Sequence, residues 1–305
     1  MSSELTRRVV FGVIAAPIAI AIVVYGGAPL AALLAVTSAL GAWEFFRLAR
    51  ATGLTPFDDA GIAIAGITPL VVHARFLRIY DPDGHIGSIS LIVVLLLLLI
   101  TAAIWLRGPT GKPLGAVAST AFGAAYTGGM LSYAYAIRYH DYAFAPGALP
   151  LGGKTFTVAS GGLLLLLPIL LTWGSDIGAY AFGRTFGRHK LIPSVSPGKT
   201  VEGAIGGLIA CMLIAWLYTH FVLHPATSLD FRWRPLGALL FGVLVSVAAQ
   251  VGDLAESLLK REAGAKDSSH LIPGHGGVLD RVDSLLFVLP ISYVALGWLL
   301  TWAPA

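Results

Sequence analysis

The sequence predicts an all-α polytopic membrane protein with about nine transmembrane helices. Hydrophobic residues make up 56% of the 305 residues, charged residues only 12%, and the mean hydropathy is +0.81. Soluble domains contain roughly 45–50% apolar and about 25% charged residues. A helix needs roughly 20 mostly apolar residues to cross a bilayer. Such segments lie at about residues 9–25, 28–46, 60–77, 86–106, 114–137, 158–182, 201–223, 236–258 and 285–302.

The basic residues predict the orientation of these helices, because cytoplasmic loops carry an excess of Lys and Arg. With the N-terminus in the cytoplasm, fourteen of the twenty Lys and Arg residues lie on the cytoplasmic side and six lie outside. This orientation places the C-terminus outside and the loops at residues 184–200 and 259–284 in the cytoplasm. Loops that face anionic lipid then account for the net charge of +4, and we expect no nucleic-acid partner.

The first apolar segment resembles a signal peptide because it follows Arg7 and Arg8. It lacks a clear small-residue cleavage site, and a second apolar segment follows directly, so we interpret it as a retained helix. The single cysteine, Cys211, lies within an apolar segment and leaves no basis for an intrachain disulfide or a cysteine zinc site.

The N-terminal half, residues 1–150, is predicted to be a multi-span membrane region with little chemistry. Its Glu44 lies near a helix end, three residues before Arg47. Opposite charges at this spacing meet on one helix face, so we interpret Glu44 as the partner of Arg47, with a role in a site as the alternative. We expect catalytic chemistry in residues 151–305, which contain both charged cytoplasmic loops.

A carboxylate stands near the end of the sixth apolar segment. Asp176 follows a long leucine-rich run, at a depth where an ionised side chain is costly and indicates function. Tyr180 and Arg184 follow at intervals of four and therefore share one helix face with Asp176. The alternative is a structural ion pair between Asp176 and Arg184 or another helix.

The segment SVSPGKTVEGAIGG begins at Ser194. Its Gly-Lys-Thr resembles the end of a phosphate-binding P-loop, but the required earlier glycine and the preceding strand are missing, so it is not a P-loop. We predict that a helix begins at Ser196 and Pro197, with its N-terminus and Lys199 favouring a bound phosphate. A plain N-cap role for Ser196 is the alternative.

The eighth apolar segment becomes polar on one face where it ends. Asp253, Glu256, Ser257 and Lys260 recur at helical spacing, which indicates a functional stripe or, alternatively, a polar packing seam between helices. Asp253 could converge with Asp280 on one Mg²⁺, since this ion prefers one or two carboxylates together with substrate phosphates and water.

The segment at residues 257–284 is the most chemically dense part of the chain. It combines cations and carboxylates with a glycine-rich turn around His275. Cationic side chains bind phosphate oxygens, and carboxylates bind the divalent metal that bridges them. Its charged residues are Lys260, Arg261, Glu262, Lys266, Asp267, Asp280, Arg281 and Asp283.

These residues resemble the phosphatidate cytidylyltransferase (CDP-diacylglycerol synthase) family. The resemblance covers roughly the C-terminal 130 residues at the level of motifs. It rests on SLLKR, KD, PGHGG and DRVD within residues 257–283, preceded by SDIGAYAFGRTFGRHKL and SPGKTVEG in the family's order. One departure is Gly198, where the family pattern has lysine.

The resemblance implies a reaction, its substrates and a set of site residues. CTP and phosphatidic acid would give CDP-diacylglycerol and pyrophosphate with Mg²⁺, and K⁺ could be a second cation. Asp253 and Asp280 would hold the metal, with Asp176, Asp283 and His275 as further catalytic candidates. The implied substrate-binding residues are Ser196, Lys199, Thr200, Glu202, Glu256, Ser257, Lys260, Arg261, Lys266, Asp267 and Arg281.

Two other functions are compatible with parts of the pattern. A CTP-dependent lipid kinase would also need a cationic cytoplasmic loop, but it would release CDP instead of pyrophosphate. A secondary transporter would explain Asp176 but predicts inverted repeats with paired broken helices.

The resemblance suggests a homodimer, and the Ala-, Gly- and Arg-rich composition suggests a bacterial inner membrane with the active site on its cytoplasmic side.

Overall fold

The computed structural model describes residues 3–77, 84–140, 149–151, 154–156, 158–227, 229–272, 274 and 276–302. These residues form an all-α protein with three short pairs of antiparallel strands. The helices are α1 (Ser3–Tyr25), α2 (Gly27–Ala51), α3 (Asp58–Phe76), α4 (Gly84–Leu106), α5 (Pro113–Ala124), α6 (Met130–Arg138), α7 (Val158–Phe186), α8 (Val201–Tyr218), α9 (His224–Thr227), α10 (Leu236–Glu262) and α11 (Leu279–Leu299).

Short π-helical turns join some of these helices. Ala125–Gly129 connects α5 to α6, and Thr219–Leu223 connects α8 to α9. The strands are β1 (Leu149–Leu151), β2 (Lys154–Phe156), β3 (Lys190–Ile192), β4 (Ser196–Thr200), β5 (Leu229–Phe231) and β6 (Leu300–Trp302), paired β1 with β2, β3 with β4 and β5 with β6.

Each predicted transmembrane segment overlaps helical structure. In the described part of the chain, five helical segments are long and apolar enough to cross a membrane: Gly27–Ala51, Ser160–Phe186, Val201–Thr227, Leu236–Glu262 and Leu279–Leu299. Val13–Tyr25 and Ser90–Leu106 are shorter apolar helices. The all-α membrane class is therefore confirmed, whereas the count of about nine spans and the orientation stay predictions.

The chain divides into two compact units. Unit 1 consists of Met1–Gly26, Tyr133–Leu258 and Arg281–Ala305, and unit 2 consists of Gly27–Ser132 and Leu259–Asp280. The predicted division at residue 150 concerns function and stays a prediction.

In unit 1, α7 and α8 pack through glycines. A Cβ atom on Gly178 of α7 would lie 2.8 Å from the Gly206 carbonyl oxygen and 2.7 Å from the Ala210 Cβ of α8. A Cβ on Gly207 would lie 2.9 Å from the Ser175 carbonyl oxygen. Membrane helices use such small residues to bring their backbones close together. The close approach holds Ser175 and its neighbour Asp176 beside α8.

We expect Gly178→Ala to destabilise unit 1. The added methyl group overpacks the α7–α8 contact, which typically costs about 1–3 kcal/mol. The thermal unfolding midpoint in detergent should fall by several degrees. Gly115→Ala is the control, because its Cβ would meet only Leu54 at 3.5 Å and alanine favours a helix. An equal or higher midpoint for Gly178→Ala would contradict this packing.

In unit 2, an aromatic cluster packs α2 against α5 and the π-helical turn. Phe45 of α2 contacts Phe46 at 5.5 Å, Phe122 at 5.6 Å and Tyr126 at 6.0 Å between ring centroids. Phe46 is fully buried, and Gly61 of α3 leaves room for its ring, since a Cβ there would lie 2.3 Å from it. This packing fixes the segment of α2 that carries Glu44.

The prediction that a helix begins at Ser196 and Pro197 is wrong. Residues 196–200 form β4, in which Thr200 is paired with Lys190 of β3, and α8 begins at Val201. Thr200 is the N-cap: its backbone is extended, and its Oγ1 accepts a hydrogen bond from the Gly203 N–H at 3.1 Å. Hairpin pairing satisfies the backbone at this position, and proline and glycine are poor helix formers.

Candidate active site

Unit 1 contains a pocket of about 440 Å³. Residues of α7, the β3–β4 hairpin, α8 and α10 surround it, and we call it the hairpin pocket. Its lining residues are Ser175, Asp176, Ala179, Tyr180, Gly183, Arg184, Leu191, Gly198, Lys199, Thr200, Gly203, Ala204, Gln250 and Asp253.

Helix α7 supplies one wall of the hairpin pocket. Asp176, Tyr180 and Arg184 all line it, as their spacing predicts. Arg184 Nη1 donates a hydrogen bond to the Tyr180 hydroxyl at 3.0 Å, so this cation is held by the tyrosine. The Asp176 side chain is exposed and interacts electrostatically with Asp253, Lys199 and Arg281.

An ion pair joins the hairpin to α10 across this pocket. Lys199 Nζ lies 2.8 Å from Asp253 Oδ2, and both side chains are partly exposed. The Ser257 hydroxyl, one helical turn after Asp253, lies 3.4 Å from Asp253 Oδ1. The sequence predicts that Lys199 and Asp253 both belong to the active site, but it does not predict that they form a pair. The pocket therefore presents two cations, Arg184 and Lys199, and two carboxylates to a bound molecule.

Two predicted substrate-binding residues hold the hairpin in place. The Thr200 hydroxyl caps α8, as described above. The Glu202 carboxylate accepts hydrogen bonds from the backbone N–H groups of Arg188 at 3.1 Å and His189 at 3.2 Å, and it lies 2.6 Å from the His189 ring Nδ1. These contacts position Lys199, and direct contact of Thr200 or Glu202 with substrate stays a prediction.

Unit 2 contains a second polar group of residues, which we call the loop cluster: Glu44, Lys260, Ser268, Gly277 and Asp280. Lys260 Nζ donates to Asp280 Oδ1 at 2.6 Å, and both side chains are largely buried. Asp280 Oδ2 accepts from the Ser268 N–H and hydroxyl, each at 2.9 Å, and from the Gly277 N–H at 2.8 Å. Three donors, the Lys260 ammonium and two backbone N–H groups, therefore orient the Asp280 carboxylate, and the Ser268 hydroxyl lies within hydrogen-bond distance as a fourth.

Glu44 belongs to the loop cluster, although the sequence offers a site role for it only as the alternative. Its interpretation as the partner of Arg47 is wrong, because its carboxylate is fully buried and binds the loop at residues 268–279. The Arg47 guanidinium instead lies 5.5 Å from the Trp43 ring centroid. Glu44 and its partners are more than 220 residues apart, and no local spacing could reveal the contact.

The other predicted site residues vary in exposure. Arg261, Lys266, Asp267 and Arg281 are exposed, and Arg261 donates to the Ala265 carbonyl oxygen at 3.0 Å. Ser196 and Asp283 are partly exposed, whereas Ser257 and Glu256 are buried. Full burial of Glu256 favours a structural role. His275 lies outside the described residues.

The fold and these two groups of residues define a class: an all-α membrane protein in which two lysines each form an ion pair with an aspartate. The chain belongs to the cytidylyltransferase family, whose model matches residues 6–299.

Comparisons with individual proteins agree with this assignment. The chain is 32% identical over 297 residues to a phosphatidate cytidylyltransferase of Synechocystis, covering 94% of this chain and 95% of the relative. It is 49% identical over 130 residues to a phosphatidate cytidylyltransferase of Haemophilus influenzae, covering 42% and 44% of the two chains. A third enzyme of that name, from Staphylococcus haemolyticus, is 44% identical over 142 residues, covering 46% and 52%.

Proposed function

We propose that this protein is a phosphatidate cytidylyltransferase that converts CTP and phosphatidic acid to CDP-diacylglycerol and pyrophosphate in phospholipid biosynthesis. The similarity to the Synechocystis enzyme over 94% of the chain supports the reaction. The observation that carries the proposal is the hairpin pocket, where the Lys199–Asp253 pair and Asp176 stand together in a membrane protein.

The reaction joins two polyanions. An oxygen of the phosphatidate phosphate forms a bond to the α-phosphorus of CTP, the bond from that phosphorus to the bridging oxygen of the β-phosphate breaks, and pyrophosphate leaves with the electron pair. The attacking oxygen is already ionised near neutral pH, so no strong general base is needed. Catalysis consists of aligning the reactants and neutralising their charge.

The cations of the chain meet this need. Lys199 in the hairpin pocket and Lys260 in the loop cluster are each held by a carboxylate, Asp253 and Asp280 respectively. A lysine fixed in this way loses less conformational entropy when it binds a phosphate. The exposed Arg261, Lys266 and Arg281 are further phosphate-binding candidates, as is Ser196 at the start of the strand that carries Lys199.

The proposal includes Mg²⁺, whose role would be to neutralise phosphate charge and polarise the reacting phosphate. Asp176 and Asp253 both line the hairpin pocket, and this donor set suits an ion that takes one or two carboxylates together with substrate phosphates. Asp280 already accepts hydrogen bonds from Lys260 and from two backbone N–H groups, so it would hold the metal through Oδ1 only in place of Lys260. The pairing of Asp253 with Asp280, and a second cation such as K⁺, stay predictions.

The remaining proposals concern topology and assembly. We place about nine helices in a bacterial inner membrane, on the basis of the apolar segments and the Ala-, Gly- and Arg-rich composition. We place the N-terminus and the active site in the cytoplasm because the basic residues divide fourteen to six in favour of this orientation. We also propose a homodimer, which rests on family resemblance.

A product assay tests the proposed reaction. Purified protein in detergent would be given CTP, Mg²⁺ and either phosphatidic acid, diacylglycerol or polyprenol, and the products would be identified by mass spectrometry. We expect CDP-diacylglycerol and pyrophosphate, formed only with CTP and phosphatidic acid together. CDP with a phosphorylated lipid alcohol would identify a kinase instead, and no turnover with any acceptor would favour a transporter.

Gly198 offers a test of phosphate binding in the hairpin pocket. It lines the pocket, is exposed, and a Cβ there would meet no atom within 4 Å. We expect Gly198→Lys to fold normally and to lower the KM for CTP or phosphatidic acid by about two- to fivefold. The added lysine would form an exposed ion pair with a substrate phosphate, and exposed pairs contribute little binding free energy. Gly198→Gln is the control of similar length without charge, and an equal KM for both variants would contradict the prediction.

A further inference from the structure

Glu44 is a buried carboxylate in an apolar helix of unit 2. Its Oε1 accepts from the Ser269 hydroxyl at 2.5 Å and the Val278 N–H at 2.9 Å. Its Oε2 accepts from the Ser268 hydroxyl at 2.9 Å and the Leu279 N–H at 2.6 Å. A buried charge is tolerated when donors surround it in this way. One carboxylate of α2 thus binds both the start and the end of the loop that leads to Asp280.

Ser268 connects Glu44 directly to Asp280. Its hydroxyl lies 2.9 Å from Glu44 Oε2 and 2.9 Å from Asp280 Oδ2. A hydroxyl carries one hydrogen and can donate it to only one of the two carboxylates at a time. The two carboxylates therefore compete for the same hydroxyl hydrogen. A change at Glu44 alters the hydrogen bond that Ser268 can donate to Asp280.

Gly277 shows how closely the loop approaches both carboxylates. Its N–H donates to Asp280 Oδ2 at 2.8 Å. A Cβ on this residue would lie 2.5 Å from Glu44 Oε1 and 2.1 Å from the Ser268 hydroxyl, so no larger side chain fits. The loop is therefore built around the two carboxylates and the serine between them.

We propose that Glu44 and Ser268 are positioning residues for Asp280, so that the N-terminal half of the chain contributes to cytidylyl transfer. This inference rests on the proposed function, in which Asp280 acts with Lys260. Glu44 fixes Ser268 and the N-terminus of α11, and Ser268 then holds the Asp280 oxygen opposite the one bound by Lys260. Glu44 does not need to touch a substrate for this role.

The adjacent serines allow a matched test. Ser268 and Ser269 are both buried, and each hydroxyl lies within hydrogen-bond distance of two groups, one of which is the Glu44 carboxylate. The second partner differs: Ser268 reaches Asp280, whereas Ser269 accepts from the Leu271 N–H at 3.1 Å. Substitution of either serine by alanine therefore removes similar structural contacts, but only one substitution disturbs Asp280 directly.

We expect Ser268→Ala to lower kcat about tenfold with KM within about twofold, and Ser269→Ala to leave kcat within about twofold, while both variants lose similar thermal stability. Glu44→Gln should lower kcat further. Each Glu44 oxygen accepts a hydrogen bond from a backbone N–H, so in either orientation the glutamine N–H₂ would face a donor that cannot become an acceptor. The assay measures CDP-diacylglycerol formation, with unfolding midpoints recorded on the same preparations.

Equal kcat values for the two serine variants, or kcat losses that follow the unfolding midpoints, would overturn the positioning role and leave Glu44 as a structural anchor. This comparison stands even if Glu44→Gln does not fold. Wild-type protein that forms no CDP-diacylglycerol would overturn the proposed function, and this inference with it. An active wild type together with equal kcat values for Ser268→Ala and Ser269→Ala would overturn this inference alone.

Discussion

Asp280→Asn is expected to lower the turnover of CTP and phosphatidic acid by at least about 100-fold, as when a main electrostatic contribution to the transition state is lost. The Asp280 carboxylate accepts hydrogen bonds from two backbone N–H groups and from the largely buried Lys260, the latter at 2.6 Å. An asparagine removes the negative charge opposite this lysine and replaces one acceptor oxygen with an N–H₂ donor. Turnover would be measured by CDP-diacylglycerol formation in detergent.

Loss of the charge could also unfold the loop, since breaking a buried ion pair costs about 3–5 kcal/mol. The double variant Lys260→Gln/Asp280→Asn restores electrical neutrality and separates the two effects. We expect it to regain most of the thermal stability but to stay inactive. Glu262→Gln, at the exposed end of α10, serves as the control. Turnover close to wild type in Asp280→Asn would remove Asp280 from the proposed site.

Lys199→Met is expected to lower kcat/KM by about 100-fold or more. Its ammonium group lies in the hairpin pocket, 2.8 Å from Asp253, and we assign it to substrate phosphate. The methionine keeps the length of the side chain but removes the charge that offsets repulsion between two polyanions.

Lys190→Met is the matched control, because Lys190 lies on the partner strand of the same hairpin. Its Nζ donates to the Pro197 carbonyl oxygen at 2.7 Å, and its side chain does not line the hairpin pocket. Its loss should change kcat/KM by less than about threefold. Equal losses in the two variants would indicate that the hairpin acts through its fold alone.

Local patterns in the sequence predicted much of the hairpin pocket. The intervals between Asp176, Tyr180 and Arg184, and the interval between Asp253 and Ser257, follow the period of a helix, so their common faces could be predicted without a structure. The hairpin at residues 190–200 could not be predicted in this way. Its two strands are only three and five residues long, too short for a clear alternating pattern.

Composition and helical spacing by themselves determined that this protein is an all-α membrane protein with polar residues concentrated near the ends of its C-terminal helices. Both properties are local, because each depends on a residue and its neighbours within a few turns. Only the tertiary structure decided that Lys199 pairs with Asp253 and that Glu44 binds the loop before Asp280. These contacts join residues far apart in the chain, and they depend on how the helices pack, which no local spacing records.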